Sequence, residues 1–333
     1  MRGQTELGFT LIELLISITL GLLLVAVAVQ LAISGHVNYR IQQAASTIQD
    51  TGVFSMNAVT RNIRLANYGN VGAMNDQTLY GGIVVSHQTT SGTGTSTVSG
   101  NLKDLKVGGT LLDDIKYISN STYNTSGIGP DKSDQLVISY QAPENIVTCT
   151  GRNVKGIVRD AANFSKGWYV VERYYINYDS VTQKSALNCS DAFFVAKSET
   201  VPQTLGTGSS AITVSTAGEI NADYATNAGE MIAPNVEFMR VKLRVRYKNN
   251  STGEMDIDDY KAIPLTTDEP SRPAIIGVSL GWLIRSSDKV EKIKNFKYTV
   301  LDTTITVPDD GYLRHVYSTT VALRNGGLGA VIE

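Results

Sequence analysis

The strongest hydrophobic pattern of the chain lies within its first forty positions. After Arg2 and Glu6 comes the 25-residue run from Phe9 to Ile33, and from Leu14 to Tyr39 no Lys, Arg, Asp or Glu occurs. At ~1.5 Å per residue the run makes a helix of about 37 Å, longer than the ~30 Å hydrocarbon core of a bilayer. It therefore predicts a membrane-spanning helix over 9–33. Glu13 breaks the pattern, four places into the run. A charge there costs ~2.5–3.5 kcal/mol on insertion scales, which calls for a partner.

From Val37 the period changes. Apolar residues fall at Val37, Ile41, Ala44, Ala45, Ile48, Val53, Met56, Val59 and Ile63, mostly three or four apart, with polar residues between them. That spacing predicts an amphipathic second half, 34–66, of one helix running about 87 Å from Phe9 to Ala66. Asn67-Tyr68-Gly69-Asn70 ends it, and Gly21, Gly35 and Gly52 are places for a kink, each costing ~1 kcal/mol relative to Ala. Residues 70–134 are rich in Gly, Ser, Thr and Asn, notably over 86–97 and 119–127. They read as exposed loops with short strands such as Gly82 to Ser86, a solvated surface insertion. Strand patterns follow at Leu136–Tyr140, Trp168–Tyr175, Phe193–Ala196, Val236–Tyr247, Ile275–Ile284 and Tyr312–Leu323. The clearest puts Met239, Val241, Leu243, Val245 and Tyr247 on one face and Arg240, Lys242, Arg244 and Arg246 on the other. The expected fold class is α+β: one long N-terminal helix packed on an antiparallel sheet, with residues 67–333 as the head.

Composition narrows the function. With 42% hydrophobic residues the chain has enough apolar surface to order itself, and 29 basic against 31 acidic residues give a net charge of −2. Nothing in that balance points to nucleic acid. The four cations on the alternating strand are the local exception and read first as a solvent face, or as a contact between subunits. His36, His87 and His315 are scattered and fit no hydrolase or metalloprotease motif, and no Walker A or dinucleotide glycine pattern occurs. Cys149 and Cys189 are too far apart for C-x-x-C chemistry. Glu254, Asp256, Asp258 and Asp259 are close enough to suggest calcium but lack EF-hand spacing, so a solvated hairpin loop is the expectation. No catalytic residue, cofactor or metal site is expected.

Three readings of the N-terminal segment remain. Ala26-Val27-Ala28 resembles the cleavage site of a secretory signal. A plain membrane anchor explains the length but not Glu13. The third reading rests on Gly8-Phe9-Thr10-Leu11-Ile12-Glu13-Leu14. This stretch resembles the class III signal of type IV prepilins and of the pseudopilins of type II secretion. The resemblance implies a leader over 1–8, cut by prepilin peptidase between Gly8 and Phe9, followed by N-methylation of Phe9. It also supplies a partner for Glu13: the new α-amino cation on Phe9 of a neighbouring subunit, a pairing that gains strength in low dielectric.

Over its whole length the chain is similar to PilW-type minor pilins, relatives of the J-type pseudopilins. Three stretches carry the likeness: Thr60–Gly69 at the helix end, Asn235–Val241 as a central strand, and Arg314–Asn325 as a closing strand. The resemblance implies a minor pilin that primes or tips a type IV pilus in support of twitching motility, adhesion or DNA uptake. A type II secretion pseudopilin and a secreted or anchored binding module are the alternatives. The implied partners are other minor pilins, the major pilin, prepilin peptidase, the inner-membrane assembly platform and a pilus-tip adhesin. The head would be periplasmic before the subunit reaches the pilus. In that oxidising compartment Cys149 and Cys189 are expected to form a disulfide, stabilising by ~4 kcal/mol for a loop of about 41 residues.

Overall fold

The computed structural model describes residues 10–70, 72–87, 89–90, 97–98, 100–128, 132–159, 165–196, 203–205, 212–214, 216–265, 271–290 and 296–324. Helix α1 (Leu11–Ile63) has 53 residues, about 80 Å at the helical rise. Thr10 caps it: the Glu13 N–H donates to Thr10 Oγ1 at 3.4 Å, and that hydroxyl lies 3.5 Å from Glu13 Oε2. The first is one half of a Ser/Thr-x-x-Glu capping pattern, while the carboxylate returns to the Thr10 hydroxyl. The helix runs without a break through Gly21, Gly35 and Gly52. It stops at Ile63 rather than Ala66, because Asn67 turns to φ 67° and its N–H donates to Ser139 O at 3.1 Å. Gly69, at φ +93°, lets the chain lie against Gln141, whose Cβ is 2.6 Å from where a Gly69 side chain would start.

The buried side of α1 is Ala44, Ile48, Gly52, Ser55, Val59 and Ile63, at intervals of four, four, three, four and four. This differs from the sequence stripe at three apolar positions, since Ile41, Ala45 and Val53 are exposed. At Gly52 the Tyr317 ring lies 2.5 Å from where a Cβ would stand, so the helix meets the head there through a small residue.

The head contains two main sheets, where one was expected. The first is formed by β1 (Gly82–Ile83), β2 (Asn120–Thr125), β3 (Lys132–Gln141), β4 (Trp168–Asp179), β5 (Lys184–Val195) and β6 (Glu230–Pro234). Its order is β1-β3-β4-β5-β6 with β2 also on β3, and every pair is antiparallel. At Asn235, φ 60°, the chain turns out of this sheet into β7 (Val236–Arg246) of the second. There follow β8 (Thr252–Asp256), α2 (Ile257–Ala262), β9 (Ala274–Lys289), the hairpin β10 (Lys297–Val300) and β11 (Thr303–Thr306), and β12 (Tyr312–Ala322). The second sheet is ordered β8-β7-β9-β12, also antiparallel.

The main core lies between α1 and the facing sides of both sheets. Ile48, Val59 and Ile63 meet Ile138, Tyr140 and Tyr174 from the first and Val241, Leu243 and Trp282 from the second. The other face of the first sheet carries a second core, in which Tyr80, Val84, Leu102, Leu105, Leu112, Tyr117 and Ile118 pack with Val137, Val171 and Phe194. This corrects the reading of 70–134 as a solvated insertion. The Gly- and Ser-rich spacing hides apolar residues too irregular for a strand or helix pattern, yet they cover a sheet face. Ser119 to Thr125, expected as loop, is largely β2. Much of the expected loop 86–97 lies outside the described residues.

The two sheets are joined by polar bonds from β3. The Met239 N–H donates to Ser133 Oγ at 3.1 Å and the Val241 N–H to Asp134 Oδ2 at 2.7 Å. Asp134 also accepts from the Thr122 N–H at 2.8 Å and from Arg240 Nη1 at 3.1 Å. Burial pushes the Asp134 carboxyl up to about 6, against the pull of Arg240 and the two N–H groups.

Candidate assembly surface

Two stretches of α1 differ in surroundings. From Thr10 to His36 every residue is exposed, and the first buried position is Ala44. These 27 residues span about 40 Å, enough to cross the ~30 Å apolar layer of a membrane. Their hydroxyls are turned onto the helix: Ser17 Oγ donates to Glu13 O at 2.7 Å and Thr19 Oγ1 to Ile16 O at 2.9 Å. Glu13 is the one residue of the segment among Asp, Glu, Lys and Arg, and its carboxylate has no ion pair among the described residues. Gly8 and Phe9 lie outside the described residues. In the lower half, where the head packs on one side, α1 presents Tyr39 and Phe54 outward, Phe54 at 74% exposure. Arg40 Nη2 donates to Lys289 O, tying the end of β9 to mid-helix.

Cys149 and Cys189 are joined by a disulfide, with Cα atoms 6.1 Å apart. It fastens the loop after β3 to β5. Beside it Glu172 accepts from the Tyr174 hydroxyl at 2.7 Å, the Cys149 N–H at 2.9 Å and the Tyr140 hydroxyl at 3.1 Å. Asn62 on the last turn of α1 donates to the same carboxylate at 3.4 Å. Burial pushes the Glu172 carboxyl up, while its hydroxyl and N–H donors pull the other way. One buried acid thus connects the helix end, the first sheet and the disulfide loop.

Two of the three resemblance stretches, the central and the closing strand, come together through charge. Glu237 on β7 accepts from Arg314 on β12 at 2.6 Å and 3.1 Å, and Arg314 also donates to Asp310 at 2.6 Å. Burial and these acids act in opposite directions on Arg314, and the acids raise it further. No local sequence pattern shows this pair, because its members are 77 residues apart.

The basic ladder is not a plain solvent face. Arg240 is buried among Asp134, Asp256 and Asp302 at 3.1, 2.5 and 3.3 Å, and Lys242 reaches Asp302 at 2.5 Å. Burial opposes the Asp302 charge, but Lys242 and Arg240 outweigh it and hold that carboxyl down at about 2. The acidic run behaves correspondingly. Glu254 and Asp256 lie on strand β8, where Asp256 serves Arg240, and Asp258 pairs with Lys261 on α2 at 2.7 Å. The solvated loop expected there is a strand followed by a helical turn, and among the described residues no cluster of His, Cys, Asp or Glu is arranged to hold a metal.

Comparison with known proteins gives two family matches. Residues 173–325, from β4 through β12, match the family described as type IV pilus-assembly protein W. Residues 4–29 match the prokaryotic N-terminal methylation motif. No curated protein matches the chain. A solved structure of a type IV-like pilin from Thermus thermophilus aligns over 84% of this chain and 96% of that one, at 11% identity and a TM-score of 0.34. At that distance neither fold nor function is transferred from it.

Proposed function

We propose that the chain is a minor pilin of the type IV pilus-assembly protein W family, which residues 173–325 match, and that it primes a type IV pilus or sits at its tip. The observation that carries this reading is the fully exposed, predominantly apolar stem from Thr10 to His36, in which Glu13 is the one residue among Asp, Glu, Lys and Arg. Such a stem is stable only in a bilayer or against other apolar helices. Before assembly the stem would cross the inner membrane with the head on the periplasmic side. After cleavage at Gly8 it would transfer into a bundle of neighbouring stems. There the Glu13 carboxylate would meet the methylated amine of Phe9 on an adjacent subunit, which sets the axial register. The head would meet other minor pilins and the major pilin, and the role is structural rather than catalytic. Twitching motility, adhesion and DNA uptake are the cellular outputs such a subunit would serve.

Mass spectrometry of the mature chain tests the premise of this assembly: an N-terminus at methylated Phe9 is expected, and a start at Val29 would refute it. Glu13→Ala is expected to insert and be cleaved normally but to enter pili poorly. Normal entry of that variant would overturn the pairing. In a deletion strain, loss of surface fibres is expected; loss of exoprotein release with fibres intact would assign the subunit to secretion instead.

A further inference from the structure

The sheet edges of the head are guarded unequally. Strand β6 is five residues long, begins at Glu230, ends at Pro234 and pairs through an irregularity at Leu187/Asn188. Strand β8 is also five residues and carries Glu254 and Asp256. On the far side of the first sheet β1 has two residues and β2 pairs irregularly. Short length, charge, proline and bulges are the usual means of keeping an edge from pairing with another chain. Strand β12 has them only at its start, where Arg314 sits and the pairing with β9 is irregular between Arg285 and Lys289. It runs for 11 residues, and from His315 to Ala322 contains no charged carboxylate or ammonium group, no proline and no glycine. Its register on β9 is regular from Arg285↔Arg314 to Gly277↔Ala322. Among the described residues nothing pairs with its outer side.

Backbone parity identifies the free groups. The Leu323 N–H donates to Ile276 O and the Leu313 N–H to Ser286 Oγ, so odd-numbered residues turn their backbone groups toward β9. In an antiparallel ladder the alternate residues then face away. Val316, Ser318, Thr320 and Ala322 thus present their N–H and C=O groups outward. Beside this edge, on the inner face, a groove of about 410 Å³ separates β12 from α1. Ala45, Ile48 and Val53 of the helix and Leu313 and Tyr317 of the strand line it together with Gln49, His315 and Arg314, whose charge is paired with Glu237 and Asp310.

We infer that β12 is a strand-addition site: an extended segment of a neighbouring pilin subunit pairs with Val316–Ala322 and places the apolar side chain at its Tyr317 end in the groove. The edge is neutral over this stretch and the groove is mostly apolar, so the fitting segment is uncharged with an apolar residue at that end. Backbone bonds supply the affinity and the groove supplies the selection, as in strand addition generally. The groove opens alongside α1, the element that brings subunits together in the proposed pilus. The inference thus rests on the minor-pilin reading and adds a second contact to it, made by the head.

The test uses the full chain in detergent, alone and co-assembled with the other pilin subunits of the same pilus. Amide exchange at Val316, Ser318, Thr320 and Ala322 is expected to be fast alone and to slow at least tenfold in the assembly. Protection in the isolated chain that disappears on removing residues 325–333 would mean that the chain's own end covers the edge, and would overturn the proposal. Ser318→Pro deletes one outward N–H and spares the bonds to β9, which edge strands tolerate. It is expected to lower co-assembly at least tenfold, whereas Ser318→Ala keeps the amide and should not. Equal co-assembly of the proline variant and the native chain overturns the edge contact alone. A native chain that fails to co-assemble with pilins at all overturns the minor-pilin reading, and this inference with it.

Discussion

Replacing Asp134 by alanine strikes the joint between the two sheets. The carboxylate accepts from the Val241 N–H at 2.7 Å, the Thr122 N–H at 2.8 Å and Arg240 Nη1 at 3.1 Å, and the residue is fully buried. Removing one member of a buried ion pair typically costs ~3–5 kcal/mol, because the other charge is left behind. Arg240 keeps Asp256 and Asp302, which moves this contribution toward the lower figure. The two stranded backbone N–H groups add ~1–3 kcal/mol each when buried without acceptors. These effects overlap, so a loss of about 4 kcal/mol is expected, a large part of the ~5–15 kcal/mol that holds a domain together. The chain has two tryptophans, Trp168 in β4 of the first sheet and Trp282 in β9 of the second, both buried. Urea unfolding followed by fluorescence in Trp282→Phe and Trp168→Phe backgrounds reads each sheet separately. With Asp134 in place the two midpoints should coincide; with Asp134→Ala both should fall, and the second sheet should unfold first. A loss below ~1 kcal/mol with coincident midpoints would refute the idea that this carboxylate couples the sheets.

Three further outcomes follow from the same packing. The Asp134 carboxyl sits at about 6 in the fold, above its ordinary value of 3.8. Its contribution is thus present below pH ~4 and lost as pH rises through 6, and Asp134→Asn should flatten the fall in stability over that window by up to ~1.4 kcal/mol per pH unit; an unchanged slope in the unfolding midpoints would contradict this. Gly52→Leu drives a side chain into the Tyr317 ring and should destabilise by ~1–3 kcal/mol. Tyr317→Ala in the same chain should recover part of that loss, and strict additivity in the double-mutant cycle would show that the two do not touch. Cys149→Ser with Cys189→Ser should lower stability by ~4 kcal/mol in the chain-entropy description, measured as the difference in urea midpoint from the oxidised chain; a loss below ~1 kcal/mol would argue that the loop is held by Glu172 instead.

The long helix, its exposed apolar first half and the principal strands were legible in the sequence because each depends on a short-range period. An apolar run of membrane length, a three-and-four repeat and a two-residue alternation are local patterns that burial imposes directly. The expected pairing of Cys149 with Cys189 needed only two cysteines and an oxidising destination. The coverage of the first sheet by residues 80–118 was not legible, since Tyr80, Leu102, Leu105 and Leu112 follow no period and gain meaning only against Val137 and Phe194. The break into two sheets falls at Asn235, where the chain takes a left-handed backbone angle between β6 and β7. Only the tertiary structure decided that Arg240 and Lys242 face inward onto Asp134, Asp256 and Asp302, and that Glu237 holds Arg314. A charge pair in a fold is chosen by distance in space, and residues 106 or 77 positions apart carry no local signal of it. The free edge of β12 has the same origin: alternation makes a strand, but which strand ends the sheet is settled by the order in which all the others pair.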